Sequence, residues 1–446
     1  MPVVTEATPI AFSDRLPEAV DVVVVGAGIV GTSAAYFLAE RGVKVLLCEK
    51  GRVAGEQSSR NWGWVRQQGR DWAELPVMME SSRIWRELAQ RTGEKDLAFK
   101  VCGCLYLAET EAQMAKCETW HALAREHQLD TRLLSREEAS AVAPDLNGRW
   151  VGGMLTASDG RAEPYVAVPA LARAARKLGA SIIENCAVRS LETHAGCVSA
   201  ALTERGAVRT DRVLLAGGAW STFFAANVGV ALPQLMVRST AGRTHAVAGP
   251  RIPNVSMAGF GIRSREDGGY TVATGDLAEH YVSPSSFKYF AKFLKLLRVS
   301  AKDVRLMPVI PAGYPGAWTS KRRWSGEEPS PFEGVRVLNP QPSEIVRQRL
   351  EKRIPERAPW LAGAGIAELW AGMIDVTPDA VPYLGEAASP RGLVIGTGLS
   401  GHGFGIGPGA GRVLADLLED RPPGHDIARF RVQRFADGSP IIPGPY

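Results

Sequence analysis

The hydrophobic pattern near the start of the chain predicts a strand, a turn and a helix in close succession. Val22–Val25 is a β-branched run with the composition of a strand buried on both faces. After a glycine-rich turn, Thr32–Arg41 carries apolar residues at helical spacing, and Gly42 follows as a C-terminal cap. A second apolar run, Val43–Cys48, predicts another strand.

Similar patterns recur further along the chain. Val168–Leu178 predicts a helix and Ser181–Leu191 a strand, and a further apolar strand begins at Arg212. Gly392–Gly398 predicts a strand and Val413–Leu418 a helix. The intervening segment has a glycine at every second position from 401 to 411, which indicates backbone that meets a ligand at a helix start.

The middle of the chain shows the alternation of an antiparallel sheet. Cys104–Ala108, Val237–His245 and Gly269–Thr274 alternate apolar and polar residues. The sequence GIRSREDGGYTVATGD, residues 261–276, predicts a hairpin.

Phe287–Arg298 has the pattern of a basic amphipathic helix, with Lys288, Lys292, Lys295 and Arg298 on one face. Two interpretations stay open. The helix either packs on the core with a solvated basic side, or its surface contacts a membrane or a partner protein.

The first glycine turn has the spacing of a dinucleotide-binding loop. Gly26 permits a tight turn, Gly28 lets the backbone approach a pyrophosphate, and Gly31 lets the helix pack closely on the strand. Glu49 ends the second strand, where a carboxylate can accept from ribose hydroxyls. We place Ile29, Val30 and Lys50, which adjoin these residues in sequence, in the same site.

Composition narrows the class of protein. With 446 residues, 45% hydrophobic content and a net charge of +5, the chain has the length of two globular domains and no charge block that marks a nucleic-acid surface. The six cysteines show no CxxC pair or metal-ligand spacing, so we expect free thiols and no metal. No signal-peptide or membrane-span pattern occurs, and we expect a cytoplasmic protein.

Several motifs together resemble a known superfamily. They are GAGIVG with Glu49, SSRN at 58–61, AGGAWS at 216–221, TPD at 377–379 and GLSGHGFGIGPG at 398–409. In this order the chain resembles the FAD-dependent amine oxidoreductases of the D-amino-acid oxidase, glycine oxidase and sarcosine oxidase superfamily. The resemblance implies an α/β fold with a discontinuous Rossmann-like FAD-binding domain, residues 17–93, 151–224 and 368–446. Residues 99–147 and 225–367 would form an α+β substrate-binding domain on an antiparallel sheet.

The resemblance also implies which segments contact FAD. The glycine loop and the SSRN segment would contact the pyrophosphate and ribityl chain, the residues after SSRN the isoalloxazine, the strand of Val188 the adenine, and the GHGFG segment the pyrimidine edge of the flavin. The residues implied in this way are Ser58, Ser59, Asn61, Trp62, Gly63, Val188, Ala216, Gly217, Trp220, Gly398, Ser400, Gly401, His402, Gly403, Phe404 and Gly405.

Two positions depart from the sarcosine oxidases. Gly372 stands where those enzymes attach FAD through a cysteine, so the resemblance implies non-covalent FAD beside this glycine. Gly405 stands where they carry a lysine that helps hold the substrate carboxylate. The second departure argues against sarcosine as the substrate.

Arg66 is the candidate anchor for a substrate carboxylate, because it aligns with a carboxylate-binding arginine of the sarcosine oxidases. Arg238 and Arg263 are the alternative anchors, and we interpret Arg60 and Arg70 as structural. Trp62 and Trp64 can cover the flavin or the substrate by stacking.

His402 is a candidate base, although in the superfamily its position acts mainly through the backbone.

The sequence thus predicts an enzyme that oxidises an amino acid or secondary amine to an imine by hydride transfer to FAD, with hydrolysis following. A basic, arginine-like substrate is one option. Three alternatives stay open: a dehydrogenase subunit that passes electrons to quinone or a partner, a flavoprotein that modifies tRNA, and a non-catalytic flavin-binding module. The mild charge disfavours tRNA.

Overall fold

A computed structural model describes residues 3–444, and its first sheet carries the glycine turn. All neighbouring strands of this six-stranded sheet are parallel except the antiparallel edge strand Tyr383–Glu386. The predicted strand Val22–Val25 lies inside the sheet, where apolar neighbours cover both faces. The spatial order is Tyr383–Glu386, Leu393–Thr397, Arg212–Leu215, Val22–Val25, Val45–Cys48 and Ser181–Ile183.

A second sheet contains ten strands. Its pairs are antiparallel except for two parallel pairs, Asn254–Met257 with Cys104–Ala108 and Ala278–Tyr281 with Val304–Met307. The predicted hairpin is confirmed as Phe260–Ser264 paired with Tyr270–Ala273. The spatial order is Val304–Met307, Ala278–Tyr281, Leu235–Thr244, Tyr270–Ala273, Phe260–Ser264, Asn254–Met257, Cys104–Ala108, Gly152–Thr156 and Thr131–Leu134, with Ile366–Val376 also paired to Leu235–Thr244.

The remaining strands form two three-stranded sheets. One contains Val188–His194, Cys197–Thr203 and Gly206–Arg209. The other joins Trp64–Val65 to Gly160–Arg161 and Lys100–Val101. The α-helices within residues 3–444 are Ile29–Glu40, Gln57–Arg60, Glu74–Thr92, Glu111–Glu126, Arg136–Val142, Pro164–Lys177, Ser221–Asn227, Pro284–Lys288, Phe290–Ser300, Pro331–Gly334, Glu344–Arg357 and Gly403–Leu418.

The mixed α/β class with a Rossmann-like sheet and a separate substrate-side sheet is confirmed. The domain boundaries stay a prediction. Strand Gly152–Thr156 and most of strand Ile366–Val376 lie close to two of the predicted boundaries, and both belong to the large sheet. Residues 445 and 446 of the last predicted segment lie outside the described residues.

The C-terminal glycine segment is helical, where the sequence predicted a helix only from Val413. The helix begins at Gly403 and crosses the first helix, Ile29–Glu40, at very close range. A Cβ at Gly407 would lie 2.4 Å from Ile29 Cγ1, and one at Gly411 would lie 2.4 Å from Ser33 Cβ. The glycines therefore serve helix packing, because any side chain there would separate the two helices.

Two other elements are interrupted. The predicted strand Ser181–Leu191 is split into Ser181–Ile183 and Val188–His194, because Asn185 adopts a left-handed conformation with φ of 49°. The predicted helix Phe287–Arg298 is divided at Tyr289 into Pro284–Lys288 and Phe290–Ser300.

Candidate active site

One continuous cavity of about 760 Å³ extends from the glycine turn to the segment that carries the two tryptophans. Its volume lies in the range of ligand-binding pockets, roughly 300–1,000 Å³. Most residues predicted from the sequence line this cavity. They are Gly26, Gly28, Ile29, Val30, Glu49, Lys50, Ser58, Asn61, Trp62, Trp64, Arg66, Val188, Ala216, Gly217, Trp220, Gly372, Ser400, Gly401, His402, Gly403 and Phe404.

Five predicted residues lie behind the cavity wall. Gly31 packs on the turn itself, since a Cβ there would lie 2.0 Å from the Gly26 carbonyl oxygen. The Ser59 side chain donates to the Glu56 carbonyl oxygen at 3.4 Å, and Gly63 donates its N–H to Asn61 Oδ1 at 2.8 Å. Gly398 and Gly405 complete this group.

The glycine turn leaves the start of the first helix open to a ligand. Gly26 has φ of 101°, and a Cβ there would lie 2.6 Å from the Ala216 carbonyl oxygen. Helix Ile29–Glu40 starts directly after Gly28, and the Ile29 N–H donates to Ser58 Oγ at 2.9 Å. A helix N-terminus that faces a cavity through glycine backbone fits a pyrophosphate.

The two carboxylate oxygens of Glu49 bind the glycine turn and the backbone just after Glu49. Oε2 accepts from the Ala27 N–H and Oε1 from the Gly51 N–H, each at 2.8 Å. Burial raises the pKa of Glu49 above its ordinary value. Each oxygen keeps a second lone pair, so the carboxylate can still accept from a ribose hydroxyl.

Lys50 builds the wall at this end of the cavity. Its Nζ donates to Glu56 Oε1 at 2.7 Å and lies 4.5 Å from the ring centre of Trp220. The Trp220 indole N–H in turn donates to Glu56 Oε1 at 3.0 Å. The three side chains hold one another in place beside the cavity.

Trp62 and Trp64 form an edge-to-face pair at 5.4 Å. The Trp62 ring lies over the hairpin of the large sheet, because a Cβ at Gly261 would lie 2.7 Å from it. Strand Trp64–Val65 pairs with Gly160–Arg161, which fixes the tryptophan segment to a second region of the chain.

Arg66 and Tyr106 meet next to this aromatic pair. The guanidinium carbon of Arg66 lies 5.8 Å from the ring centre of Tyr106. A Cβ at Gly69 would lie 2.9 Å from Arg66 Nη1 and 3.1 Å from the Tyr106 hydroxyl, so both polar groups border one small space. Burial raises the pKa of Tyr106 to about 12, which keeps its hydroxyl a donor at neutral pH.

His402 stands at the start of the C-terminal helix. Its carbonyl oxygen accepts from Arg70 Nη2 at 3.3 Å, and its N–H donates to the Leu399 carbonyl oxygen at 2.8 Å. Burial, together with the charges of Arg70 and Arg66, holds the pKa of the imidazole well below its usual range. The ring is therefore neutral at physiological pH.

Gly405 stands where the sarcosine oxidases carry a lysine. It packs against helix Glu74–Thr92 instead of lining the cavity. The Gly405 carbonyl oxygen accepts from Ser81 Oγ at 2.7 Å and from the Trp85 indole at 3.0 Å.

Asp375 is a cavity residue that sequence reasoning missed. Its Oδ2 accepts from the Gly398 N–H at 2.7 Å and from Thr397 Oγ1 at 3.1 Å, and burial raises its pKa. The signal was present in the WAGMIDVTPD motif, three residues after Gly372. Tyr106 was also missed, although the alternation of Cys104–Ala108 places it on one face of a strand.

Every arginine considered as an anchor has partners within the chain. Arg66 Nη1 donates to the Gln68 carbonyl oxygen, and the other arginines bind carboxylates or backbone. Arg238 binds Glu279 at 2.6 Å and Arg263 binds Glu163 at 2.7 Å. Arg60 is buried and donates to the carbonyl oxygens of Val4 and Ala371, each at 3.0 Å. These hydrogen bonds agree with the interpretation of Arg60 as a structural residue.

Metal-binding groups and membrane spans were sought in residues 3–444. No group of three or more His, Cys, Asp or Glu side chains there could hold a metal ion. Within the same residues, no helix combines the length and the apolar composition needed to cross a bilayer.

Comparisons with known proteins identify relatives of this chain. The solved L-amino acid deaminase from Proteus myxofaciens, in complex with anthranilate, superposes with a TM-score of 0.90 at 30% identity, covering 98% of this chain and all of that one. The 4-methylaminobutanoate oxidase (formaldehyde-forming) of Paenarthrobacter nicotinovorans is 26% identical over 95% of this chain and 46% of its own length. The chain therefore spans less than half the length of that relative.

Glycine oxidase of Geobacillus kaustophilus is 26% identical over 93% of this chain and 97% of its own length. Residues 21–417 match the family model described as DAO, FAD dependent oxidoreductase, which confirms the resemblance seen in the motifs. The chain therefore belongs to the DAO family of FAD-dependent oxidoreductases.

Proposed function

We propose that the chain oxidises the C–N bond of an L-amino acid to an imine, which water hydrolyses to a keto acid and ammonia. The observation that carries this proposal is the single cavity that joins the glycine turn to Arg66 and Tyr106. When bound, FAD accepts the hydride that leaves the substrate carbon. A carboxylate held at Arg66 brings that carbon to a fixed place in the cavity.

The side chains of this chain bind and orient the substrate. Arg66 supplies the charge and Tyr106 the hydroxyl donor for the carboxylate, on the two sides of the space beside Gly69. Trp62 and Trp64 exclude water from the same region, which strengthens the ionic contact.

The start of helix Gly403–Leu418 faces the cavity through Gly403 and Phe404. Its N–H groups favour negative charge at this point, as a helix N-terminus does. His402 supports the arrangement through its carbonyl bond to Arg70. Its low imidazole pKa makes the ring a weak base, so we assign His402 a positioning role.

We infer the substrate class from the residues that line the cavity and from the names of the relatives. The Proteus myxofaciens enzyme is an L-amino acid deaminase solved with anthranilate, an aromatic carboxylate. Here the tryptophan pair, Leu277 and Ile374 give the cavity aromatic and aliphatic walls. These walls favour an apolar or aromatic side chain over a basic one. All six cysteines are free thiols, and a reducing cytoplasm is the compartment we propose.

Anaerobic titration of the purified flavoprotein tests the proposal. The visible spectrum is followed while L- and D-amino acids, glycine and sarcosine are added in turn. We expect apolar L-amino acids to reduce the flavin and their D-enantiomers to leave it oxidised. Admission of air then separates an oxidase, which reoxidises at once, from a dehydrogenase, which stays reduced. Failure of every amine and amino acid to reduce the flavin overturns the proposal.

Acid precipitation tests the mode of FAD attachment. A Cβ at Gly372 would lie 3.5 Å from the Arg60 side chain, and no thiol stands at this position. We expect the yellow cofactor in the supernatant. A yellow pellet after precipitation would show a covalent link.

A further inference from the structure

Exposed apolar side chains are concentrated in one part of the surface. Of the twelve large hydrophobic residues that are exposed within the described part of the chain, seven lie between residues 287 and 318. We call them the 287–318 surface. They are Phe287, Phe290, Leu294, Val299, Leu306, Val309 and Trp318.

Helix Phe290–Ser300 packs one apolar face against the protein. It also exposes apolar side chains to solvent. Phe293 and Leu296 are buried with Tyr289, and pack on Ala380. Phe290 is 57% exposed and Val299 is 54% exposed, and they lie on the two flanks of this packed face. The helix thus already has a packed face, so core packing does not account for its outward aromatic and aliphatic residues.

The remaining members of the surface adjoin this helix. The rings of Phe287 and Trp318 lie 6.2 Å apart, and the Trp318 indole donates to the Val282 carbonyl oxygen at 3.3 Å. The same carbonyl oxygen accepts from the Ile310 N–H at 3.2 Å, next to Val309. Leu306 lies on the edge strand of the large sheet, which pairs with Ala278–Tyr281. These contacts bring Phe287, Trp318 and the segment at Val309 together around the Val282 carbonyl oxygen.

Positive charge surrounds these apolar residues. Residues 284–310 contain six basic side chains and a single acidic one, Asp303. On the outward side of the helix, Lys295 and Arg298 lie between the apolar positions. Their aliphatic stems can lie along an apolar layer while the charged ends reach a polar one.

The surface adjoins the cavity. Ser300, the last residue of the helix, and Asp303 and Val304 shortly after it line the same cavity as Arg66. A partner bound at the surface would therefore lie beside the substrate site.

We propose that the 287–318 surface binds the interface of an anionic lipid bilayer, with its aromatic and aliphatic side chains in the acyl boundary. The argument is charge complementarity combined with exposed aromatic residues, the composition of interfacial segments that lie on a membrane. The bilayer is bound from one side. This inference is independent of which amine the enzyme oxidises.

Vesicle sedimentation of the flavin-loaded protein tests the proposal. The probes are vesicles of phosphatidylcholine alone and vesicles that also contain phosphatidylglycerol. We expect sedimentation with the anionic vesicles, weaker binding at high salt, and little binding to phosphatidylcholine. The variant Phe287→Ser/Phe290→Ser should bind anionic vesicles at least tenfold more weakly than the unchanged protein.

A matched control removes apolar residues elsewhere. Ile10 and Val101 are 48% and 57% exposed and lie outside the surface, so Ile10→Ser/Val101→Ser should bind as the unchanged protein does. Flavin content and substrate reduction without vesicles should be the same in both variants, which separates this test from the proposed function.

Three outcomes overturn the proposal. They are absence of binding to anionic vesicles, equal binding by the two double variants, and a shift from dimer to monomer in Phe287→Ser/Phe290→Ser without vesicle binding. The last would identify the surface as a contact between copies of the chain.

Discussion

Arg263 and Glu163 form a two-armed ion pair that is buried beneath the tryptophan segment. Nη1 and Nη2 of the guanidinium meet the two carboxylate oxygens at 2.7 Å and 2.9 Å. The remaining Nε donates to the Trp62 carbonyl oxygen. One buried pair therefore ties the hairpin of the large sheet to the segment that covers the cavity.

Glu163→Gln should destabilise the protein by about 3–5 kcal/mol, because it leaves the Arg263 charge buried without its counter-charge. Burial alone would raise the pKa of Glu163, but the charge and hydrogen bonds of Arg263 outweigh it and hold the pKa at about 2. The carboxylate thus contributes stability above about pH 4.5, which is lost as pH falls toward 2. Urea unfolding at neutral pH measures the effect.

The control for this prediction is an ion pair of the same type that is less buried. Glu368 accepts from Arg243 at 3.0 Å, and both side chains are about a quarter exposed. Glu368→Gln should cost no more than about 1 kcal/mol. If the two variants lost similar amounts of free energy of unfolding, burial of the Arg263–Glu163 pair would not account for its larger predicted effect.

The parts of the fold with a local signature could be predicted from the sequence. The strand Val22–Val25 and the turn at Gly26 depend on residues that are adjacent in the chain. The Arg263–Glu163 pair joins positions 100 residues apart, and no local pattern distinguishes it from other arginine and glutamate residues. The helical glycine segment was misjudged for a related reason, since its packing against Ser33 is a tertiary contact.

Asp159 should make stability depend on pH in a predictable direction. It is buried, its oxygens accept from the backbone N–H groups of Gln67 and Gln68 at 2.7 Å and 3.1 Å, and burial raises its pKa to about 6. A raised pKa favours the protonated folded state, so the stabilising contribution is lost as pH rises from about 4 to 6. The variant Asp159→Asn has no carboxyl group to titrate, so it does not lose stability in this way. The difference in free energy of unfolding, variant minus unchanged protein, should be about 1.4 kcal/mol higher at pH 7.5 than at pH 5.

Asp267→Asn is the control for this pH dependence. Burial acts to raise the pKa of Asp267, but its hydrogen bonds with Arg265 prevail and lower it. Its carboxylate is ionised in both folded and unfolded states above pH 5, so this variant should show a constant difference over the same range. Urea unfolding at pH 5 and pH 7.5 measures both variants. A constant difference for Asp159→Asn would contradict the assignment.

Gly26→Ala should abolish FAD binding. A Cβ at this position would lie 2.6 Å from the Ala216 carbonyl oxygen, so the turn must open and move its neighbours. The ratio of flavin to protein absorbance after purification measures the loss.

Gly42→Ala is the matched control, because Gly42 also has a positive φ, 80°, but a Cβ there meets no atom within 4 Å. The Gly42→Ala substitution carries the same conformational strain of about 1–2 kcal/mol, but it does not block the turn at Gly26. Full flavin content in Gly26→Ala would show that the turn tolerates a side chain.

The substrate end of the site was less predictable than the dinucleotide end. Arg66 was found by alignment with a family motif, whereas Tyr106 comes from a strand of the other sheet and Asp375 from a strand that crosses between regions. The position of Arg66 also depends on Asp159, which binds the backbone just after it. Such support is visible only when the chain segments are assembled, because each residue has an ordinary sequence context.

Arg66→Ala should raise KM for a carboxylate substrate roughly tenfold or more, the equivalent of about 1.4 kcal/mol in binding. The physical reason is loss of the charged, two-pronged partner for the carboxylate beside Tyr106. Steady-state kinetics with an apolar L-amino acid and with its amide measures the effect, because the amide has no charge for Arg66 to bind. KM for the amide should change little, whereas an equal rise for both would show that Arg66 shapes the cavity instead of binding the carboxylate. Arg347→Ala, on the exposed side of helix Glu344–Arg357, should leave both KM values unchanged.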